Sequence, residues 1–422
     1  MKDIILKNAR VVDPVRGIDS VGDIAVSNGV IIEAKDAKDP EVYDLTGKVV
    51  SPGFIDVHVH LRQPGNTAAE TVATGTRAAA AGGFTSIVAM PNTSPAADTA
   101  GAIELLKRTA MEQGVVKVLA CGNMTKGGKG EEMAGIGSLK AAGVVALSDD
   151  GKCIQDHALM RHVVEYAKSF NLPILDHCEE NTLAAGGVMH EGKWSVLLGI
   201  NGISGASEEL MVARNIILAR QIDWKIHMQH ISVAESVDLI RRARQNGIKV
   251  TGEATPHHIT LTDQCIKKFD TNYKMNPPLR SERDRLAVIE GLADGTLTAI
   301  ATDHAPHTQT AKMVEFDHAP FGIIGLETAF CLSFTELVAK GVLTIPQLIS
   351  KFTAGPADIL GMSDYSLAPG RPADITVVDP EAKWTIDKEK FFSKSRNTPF
   401  DGYEVQGQVV MTIVDGKVVF RR

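Results

Sequence analysis

The sequence predicts an α/β fold: a (β/α)8 barrel of the TIM type, with a small β-sandwich domain formed by both chain ends. Three observations carry this. Apolar runs of strand length alternate with amphipathic stretches through the middle of the chain. Both ends are β-branched and turn-rich, without helical periodicity. Polar residues of metal-ligand type recur where the middle runs end. With 422 residues, 44% of them hydrophobic, the chain has room for one barrel of ~250 residues and a smaller domain.

Residues 1–50 form the first part of the sandwich, with apolar runs at 3–12, 22–34 and 41–50 separated by turn residues. Residues 51–364 form the barrel. Its strands are placed at 53–60, 85–90, 115–121, 144–150, 172–178, 225–232, 249–256 and 297–305. Helices open at Ser207, at Ser232 and at Ser281-Glu282-Arg283-Asp284, which has the character of a capping box. Residues 365–422 complete the sandwich, with runs at 374–379 and 409–414 and a hairpin signal at Asp415-Gly416. A doubly wound open sheet is the competing fold. No GxGxxG follows the first run, which weighs against it.

Composition narrows the function. A net charge of −7 leaves no basic footprint for nucleic acid. No apolar run is long enough for a membrane span, and Lys2, Asp3 and Lys7 interrupt the start too early for a signal peptide. The five cysteines include no CxxC and read as reduced thiols of a cytoplasmic protein.

Chemistry in such barrels sits at the C-terminal strand ends. Strand one ends in His58-Val59-His60, and alternation puts both imidazoles on one face with Val57 and Val59 on the other, under helices. Strand four ends in Ser148-Asp149-Asp150. Val145 and Leu147 belong against the helices, so Asp150 faces the mouth and Asp149 does not. Strand five ends in His177, strand six in His230 and strand eight in Asp303. Each alone is weak evidence, because polar residues are common at strand ends. Together, His58, His60, Asp150, His177, His230 and Asp303 form a donor set suited to one or two Zn²⁺.

Other polar residues receive the plainer reading. His227 and His230 differ by three and face opposite sides of a strand, so only one is a ligand. His230 lies nearer the mouth, and His227 is packed. His157 and His162 fall in a helical segment, and His190 in a loop. His257 and His258 follow strand seven, where a structural role is weighed above a supporting one. Cys178 alternates into the core.

At this point the chain resembles the amidohydrolase superfamily and, within it, the dihydroorotases of the longer, class I type. The matching pieces are Ser51-Pro52-Gly53-Phe54-Ile55-Asp56-Val57-His58-Val59-His60-Leu61-Arg62, Met90-Pro91-Asn92-Thr93, Ser148-Asp149-Asp150-Gly151 and Lys274-Met275-Asn276-Pro277-Pro278-Leu279-Arg280. Asp303-His304-Ala305-Pro306-His307, Pro320-Phe321-Gly322, Gly325-Leu326-Glu327-Thr328 and Ser395-Arg396-Asn397-Thr398-Pro399-Phe400-Asp401-Gly402 complete them. HxH alone marks only the superfamily. Arg62, Asn92 and the Asn-Pro-Pro-Leu-Arg element together mark the dihydroorotase type.

The resemblance implies a zinc enzyme of pyrimidine biosynthesis that interconverts N-carbamoyl-L-aspartate and L-dihydroorotate. Many relatives bridge two metals with a carboxylated lysine on strand four; here Asp150 stands at that place. Asp303 would carry the proton between water and the amide nitrogen. Arg62 would grip the substrate carboxylate, with Asn92 and His307 as added donors. Asn276 would meet the ring amide, and Phe321 and Gly322 would line the substrate. The stretch from His307 to Gly322 would act as a lid. The resemblance further implies a homodimer and association with aspartate transcarbamoylase. Two other functions compete. A hydantoinase or allantoinase would usually keep the bridging lysine. A non-catalytic assembly partner would have lost ligands that are all present here.

Overall fold

The computed structural model describes residues 2–422, whose strands form two large sheets and one small ribbon. In chain order the first five strands are β1 (Ile4–Asp13), β2 (Ile18–Ser27), β3 (Val30–Ile32), β4 (Glu41–Asp44) and β5 (Val49–Pro52). Then come β6 (Phe54–Val59), β7 (Phe84–Ala89), β8 (Lys117–Gly122), β9 (Ala146–Leu147) and β10 (Ile174–Asp176). A ribbon of β11 (Met189–His190) and β12 (Gly202–Ile203) precedes β13 (Ile226–Met228), β14 (Val250–Ala254) and β15 (Ala299–Ile300). The chain ends with β16 (Ile375–Thr385), β17 (Glu404–Val414) and β18 (Lys417–Arg421).

The two chain ends share one sheet, ordered β18-β17-β16-β5-β1-β2-β3 with β4 also on β1. Strands β4 and β5 both pair parallel with β1, so they are successive segments of one edge. The sheet curls until β3 bridges Pro372 and Ile31 N donates to Arg371 O at 2.8 Å. Alternate residues, among them Leu6, Val26, Ile31, Ile375, Val377 and Ile413, fill the space it encloses. The domain expected from both termini is therefore one curled sheet.

The barrel runs in order β6-β7-β8-β9-β10-β13-β14-β15. Every pairing is parallel. It closes where Val59 bridges His304 and His60 N donates to His304 O at 2.9 Å. Helices cover it. Thr71 caps Val72–Ala81, Asp156 caps His157–Ser169 and Ser281 caps Glu282–Ala293. Ser207 and Ser232 do not cap; Ser204 and Val233 precede those helices, and Ser232 instead bonds Glu208. Among the described residues, no helix is long and apolar enough to cross a membrane.

Three local expectations are corrected. Val57 does not share the outer face with Val59. It joins Ile55, Val88, Leu175 and Ala301 inside the barrel, while Val59 packs in the helix-facing core. The cause is a register shift between Asp56 and Val59, where Asp56 Oδ1 accepts from His58 N at 3.0 Å. His227 and His230 do not face opposite sides. Strand β13 ends at Met228 and His230 takes φ +32°, so both rings turn inward. His190 lies in the ribbon, where its Nδ1 is 3.3 Å from Arg280 Nη1.

Candidate metal centre

Six buried side chains converge at the C-terminal mouth of the barrel: His58, His60, Asp150, His177, His230 and Asp303. Five of them form two triads, His58–His60–Asp150 and Asp150–His177–His230, each with its donor atoms within 4.8 Å of one another. Asp150 belongs to both. Its Oδ1 lies 3.2 Å from His58 Nε2, 3.9 Å from His177 Nδ1 and 4.0 Å from His230 Nε2, and its Oδ2 lies 3.4 Å from His60 Nε2. Asp303 Oδ1 joins the first triad, 3.1 Å from His60 Nε2 and 3.5 Å from His58 Nε2. All six residues singled out from the sequence are thus brought together.

The neighbouring carboxylate faces away. Asp149 Oδ1 accepts from Asn123 Nδ2 (3.0 Å), Met124 N (2.8 Å) and Thr125 N (3.2 Å), and Oδ2 accepts from Thr125 Oγ1. Strand β9 covers only Ala146–Leu147, yet the alternation persists through the following residues.

The electrostatics suit a cation. Burial alone would raise the Asp150 carboxyl, but His58, His60 and His177 hold it well below the usual range. Burial, then His177 and His58, push His230 well below its ordinary value, so it is the neutral imidazole that a metal needs. Burial opposes charge on His58, but Asp150 and Asp303 outweigh it and raise the group. His58 Nε2 and His230 Nδ1 are buried without a hydrogen-bond partner. An orphaned nitrogen facing two carboxylates is costly unless something else satisfies it.

Further groups hold the ligands in place, and apart from Asn92, which is exposed and was expected at the substrate, these were missed. His58 Nδ1 is 3.2 Å from Glu253 Oε1, and His60 Nδ1 is 2.9 Å from Asn92 Oδ1. Asp176, beside His177, pairs with Arg214 at 2.8 Å and accepts from Asn215 Nδ2 at 2.6 Å. His304, beside Asp303, is 3.2 Å from Glu70 Oε2 and accepts from Gly325 N at 3.2 Å. One signal was available in the sequence: Glu253 is an acid inside an apolar strand run. Glu70 and Arg214, far away in the chain, gave none.

The second wall carries the expected substrate contacts. Arg62 Nε donates to Pro306 O at 3.1 Å, and its two terminal nitrogens make no hydrogen bond among the described residues. Asn92 is not free. Its Oδ1 meets His60, and its Nδ2 donates to Asp150 Oδ2 at 3.3 Å. Asn276 Nδ2 donates to Glu179 Oε2 at 2.8 Å, while its buried Oδ1 has no partner. His307 Nε2 is 2.7 Å from Phe321 O. Burial, then Arg62 and Lys312, push His307 down to about 3, so it is neutral and donates there. Gly322 has φ +117°, and a Cβ at that position would lie 2.6 Å from Ala305 Cβ, so no larger residue fits. His258 holds Thr255 Oγ1 (2.7 Å) and Pro277 O (3.0 Å), and neither it nor His257 belongs to the triads.

The stretch from His307 to Gly322 is fastened. Lys312 Nζ donates to Pro320 O (2.8 Å) and Thr271 O (3.0 Å), and Lys274 Nζ donates to Phe316 O (2.8 Å) and Asp317 O (2.9 Å). Asn397 reaches across from the connection between β16 and β17. Its Nδ2 donates to Ala305 O (3.0 Å) and Gly322 O (3.1 Å), and its Oδ1 accepts from His307 N (3.1 Å).

Comparison with known proteins places this geometry. The dihydro-orotase-like family model matches residues 47–236. The chain is 50% identical to a dihydroorotase of Pelotomaculum thermopropionicum, with 99% of this chain and 98% of that one covered. It is 48% identical to a dihydroorotase of Solibacter usitatus, with 99% and 98% covered. Among solved structures it resembles the L-hydantoinase (dihydropyrimidinase) of Arthrobacter aurescens, with TM-score 0.89 and 26% identity over 100% of this chain and 96% of that one. A dihydropyrimidinase from Brevibacillus agri, 24% identical with TM-score 0.87 over 99% of this chain and 95% of that one, shares the fold.

Proposed function

The chain belongs to the dihydroorotase family, and we propose that the mouth of its barrel is where it closes N-carbamoyl-L-aspartate to L-dihydroorotate and water, and reopens the ring. The observation that carries the site is the pair of triads sharing Asp150, with an uncommitted arginine fork on the chain just beyond the HxH pair. Imidazole and carboxylate donors together suit Zn²⁺, which His58, His60, Asp150, His177, His230 and Asp303 would hold. The orphaned His58 Nε2 supports this fit. A bound zinc ion lowers the pKa of the attacking water towards 7 and polarises the carbonyl under attack.

The remaining chemistry belongs to the protein. In ring opening, Asp303 takes a proton from the water and hands it to the departing amide nitrogen. In ring closure it takes that proton back from the carbamoyl nitrogen. Arg62 keeps both terminal nitrogens for the substrate carboxylate, which a guanidinium grips bidentately. Asn92 orients His60 and Asp150. The unpartnered Oδ1 of Asn276 is an acceptor for the ring N–H. His307, Phe321 and Gly322 line the site next to Arg62, whose Nε donates to the neighbouring Pro306 O.

The same reading makes the chain a cytoplasmic homodimer that associates with aspartate transcarbamoylase; sedimentation with and without that enzyme checks both. Metal analysis of purified protein, followed by assays with L-dihydroorotate, hydantoin and allantoin, tests the main proposal. Bound zinc and turnover of L-dihydroorotate are expected. Faster turnover of hydantoin or allantoin would overturn it.

A further inference from the structure

Directly beneath the ligand cluster lies a buried polar group that the reaction does not use. Glu253, on β14, has no exposed surface, and its carboxylate is shared three ways. Oε1 is 3.2 Å from His58 Nδ1 and accepts from His230 N at 3.2 Å. Oε2 is 2.9 Å from His227 Nε2, and His227 Nδ1 is 2.8 Å from Thr251 Oγ1. An ionised carboxylate in a barrel interior is retained only if hydrogen bonds satisfy both oxygens, and here they do.

The arrangement bears on which form of His58 can ligate. Its Nε2 faces Asp150 and Asp303, so binding a cation there requires the proton to sit on Nδ1. Two groups compete to decide this. Glu253 Oε1 can only accept from Nδ1–H, whereas Gln229 Nε2, 3.2 Å from the same nitrogen, can only donate to it. A donating Gln229 would leave the proton on Nε2 and close the site. The carboxylate is the stronger partner, because a charged acceptor makes the stronger bond.

We infer that Glu253 and His227 are positioning residues for the metal site. Glu253 fixes the tautomer of His58 and tethers the backbone of His230, so one carboxylate braces one ligand from each triad. His227 occupies the other oxygen and keeps the carboxylate in line. This rests on the metal reading above.

The test uses Glu253→Gln and His227→Gln in the full chain, stripped of metal and reloaded. Zinc affinity is read by chelator competition, the Co²⁺-substituted absorption spectrum reports ligand geometry, and thermal melting of the metal-free protein reports folding. Glu253→Gln is expected to lose ~10–100-fold in zinc affinity with an altered cobalt spectrum. His227→Gln is expected to lose less, in the same direction. A folded Glu253→Gln with wild-type affinity and spectrum would overturn the inference, because a packing role would lower only the melting temperature. If Glu253→Gln does not fold, His227→Gln decides, and unchanged affinity there counts against the proposal. A wild-type protein that binds no zinc would instead bring down the metal reading itself.

Discussion

On one side of the barrel mouth, His58, His60, His177 and His230 leave strand ends, and the buried Glu253 braces His58 and His230. On the other, His307, Phe321 and Gly322 sit on a loop fastened by Lys274, Lys312 and Asn397. The first wall takes its precision from sheet register, the second from hydrogen bonds between distant parts of the chain. A fault in the first wall should therefore remove metal or chemistry, while a fault in the second should loosen substrate binding and leave the metal in place.

The largest effect separates chemistry from metal within the first wall. Asp303→Asn removes the proton acceptor but keeps size and an oxygen, and five other ligands stay in place. It is expected to retain most of its zinc and to lose at least ~10²-fold in rate in both directions, the range typical of a general acid–base group. Near-normal turnover with full zinc would move the proton carrier elsewhere, with His307 the next candidate.

Next comes the Asp149–Asp150 pair, which tests register directly. Asp150→Ala is expected to lower bound zinc, measured by metal analysis. Asp149→Ala should keep zinc but strand buried donors from Asn123, Met124 and Thr125, at a cost of ~3 kcal/mol or more in unfolding free energy. Equal zinc loss in both would break the assignment of the two faces.

The second wall is probed by Asn397→Ala, which removes three hydrogen bonds that hold Ala305, His307 and Gly322. The KM for L-dihydroorotate is expected to rise ~10-fold, with kcat changed less and zinc unchanged, since each lost bond is worth about 1 kcal/mol and neighbours share the strain. Loss of zinc in this variant would show that the walls are not independent.

What the sequence made legible follows the same division. Alternation at strand ends was enough to find His58, His60, Asp150, His177, His230 and Asp303, because a period of two is local information. It misplaced Val57 and the inward turn of His227, because a register shift at Asp56 and the left-handed backbone of His230 leave no mark in the pattern. The end domain was read as a small β-sandwich formed by both chain ends, and its single curled sheet was not legible, since pairing of β5 with β16 joins residues more than three hundred positions apart. The anchoring of the His307–Gly322 loop by Lys312, Lys274 and Asn397 was illegible for the same reason. A buried lysine bonded to carbonyls looks, in sequence, like any surface lysine.

The smallest expected effect tests how firmly that loop is held. His307 is neutral in the folded chain, pushed to about 3 by burial, Arg62 and Lys312, and its Nε2 donates to Phe321 O at 2.7 Å. In an opened loop the imidazole returns towards its ordinary value of 6.5. Between those two values the open form binds more protons than the closed one. The closed form therefore gains relative stability as pH rises through that window, and loses it as pH falls from 6.5 towards 3. Hydrogen exchange of amides in residues 308–322, corrected for intrinsic rates, is expected to be several-fold faster at pH ~5 than at pH ~7.5. His307→Gln keeps a donor that cannot titrate, so it should flatten that pH dependence. If the variant keeps the wild-type slope, the latch is carried by the lysines and Asn397 alone, and the second wall is held without its histidine.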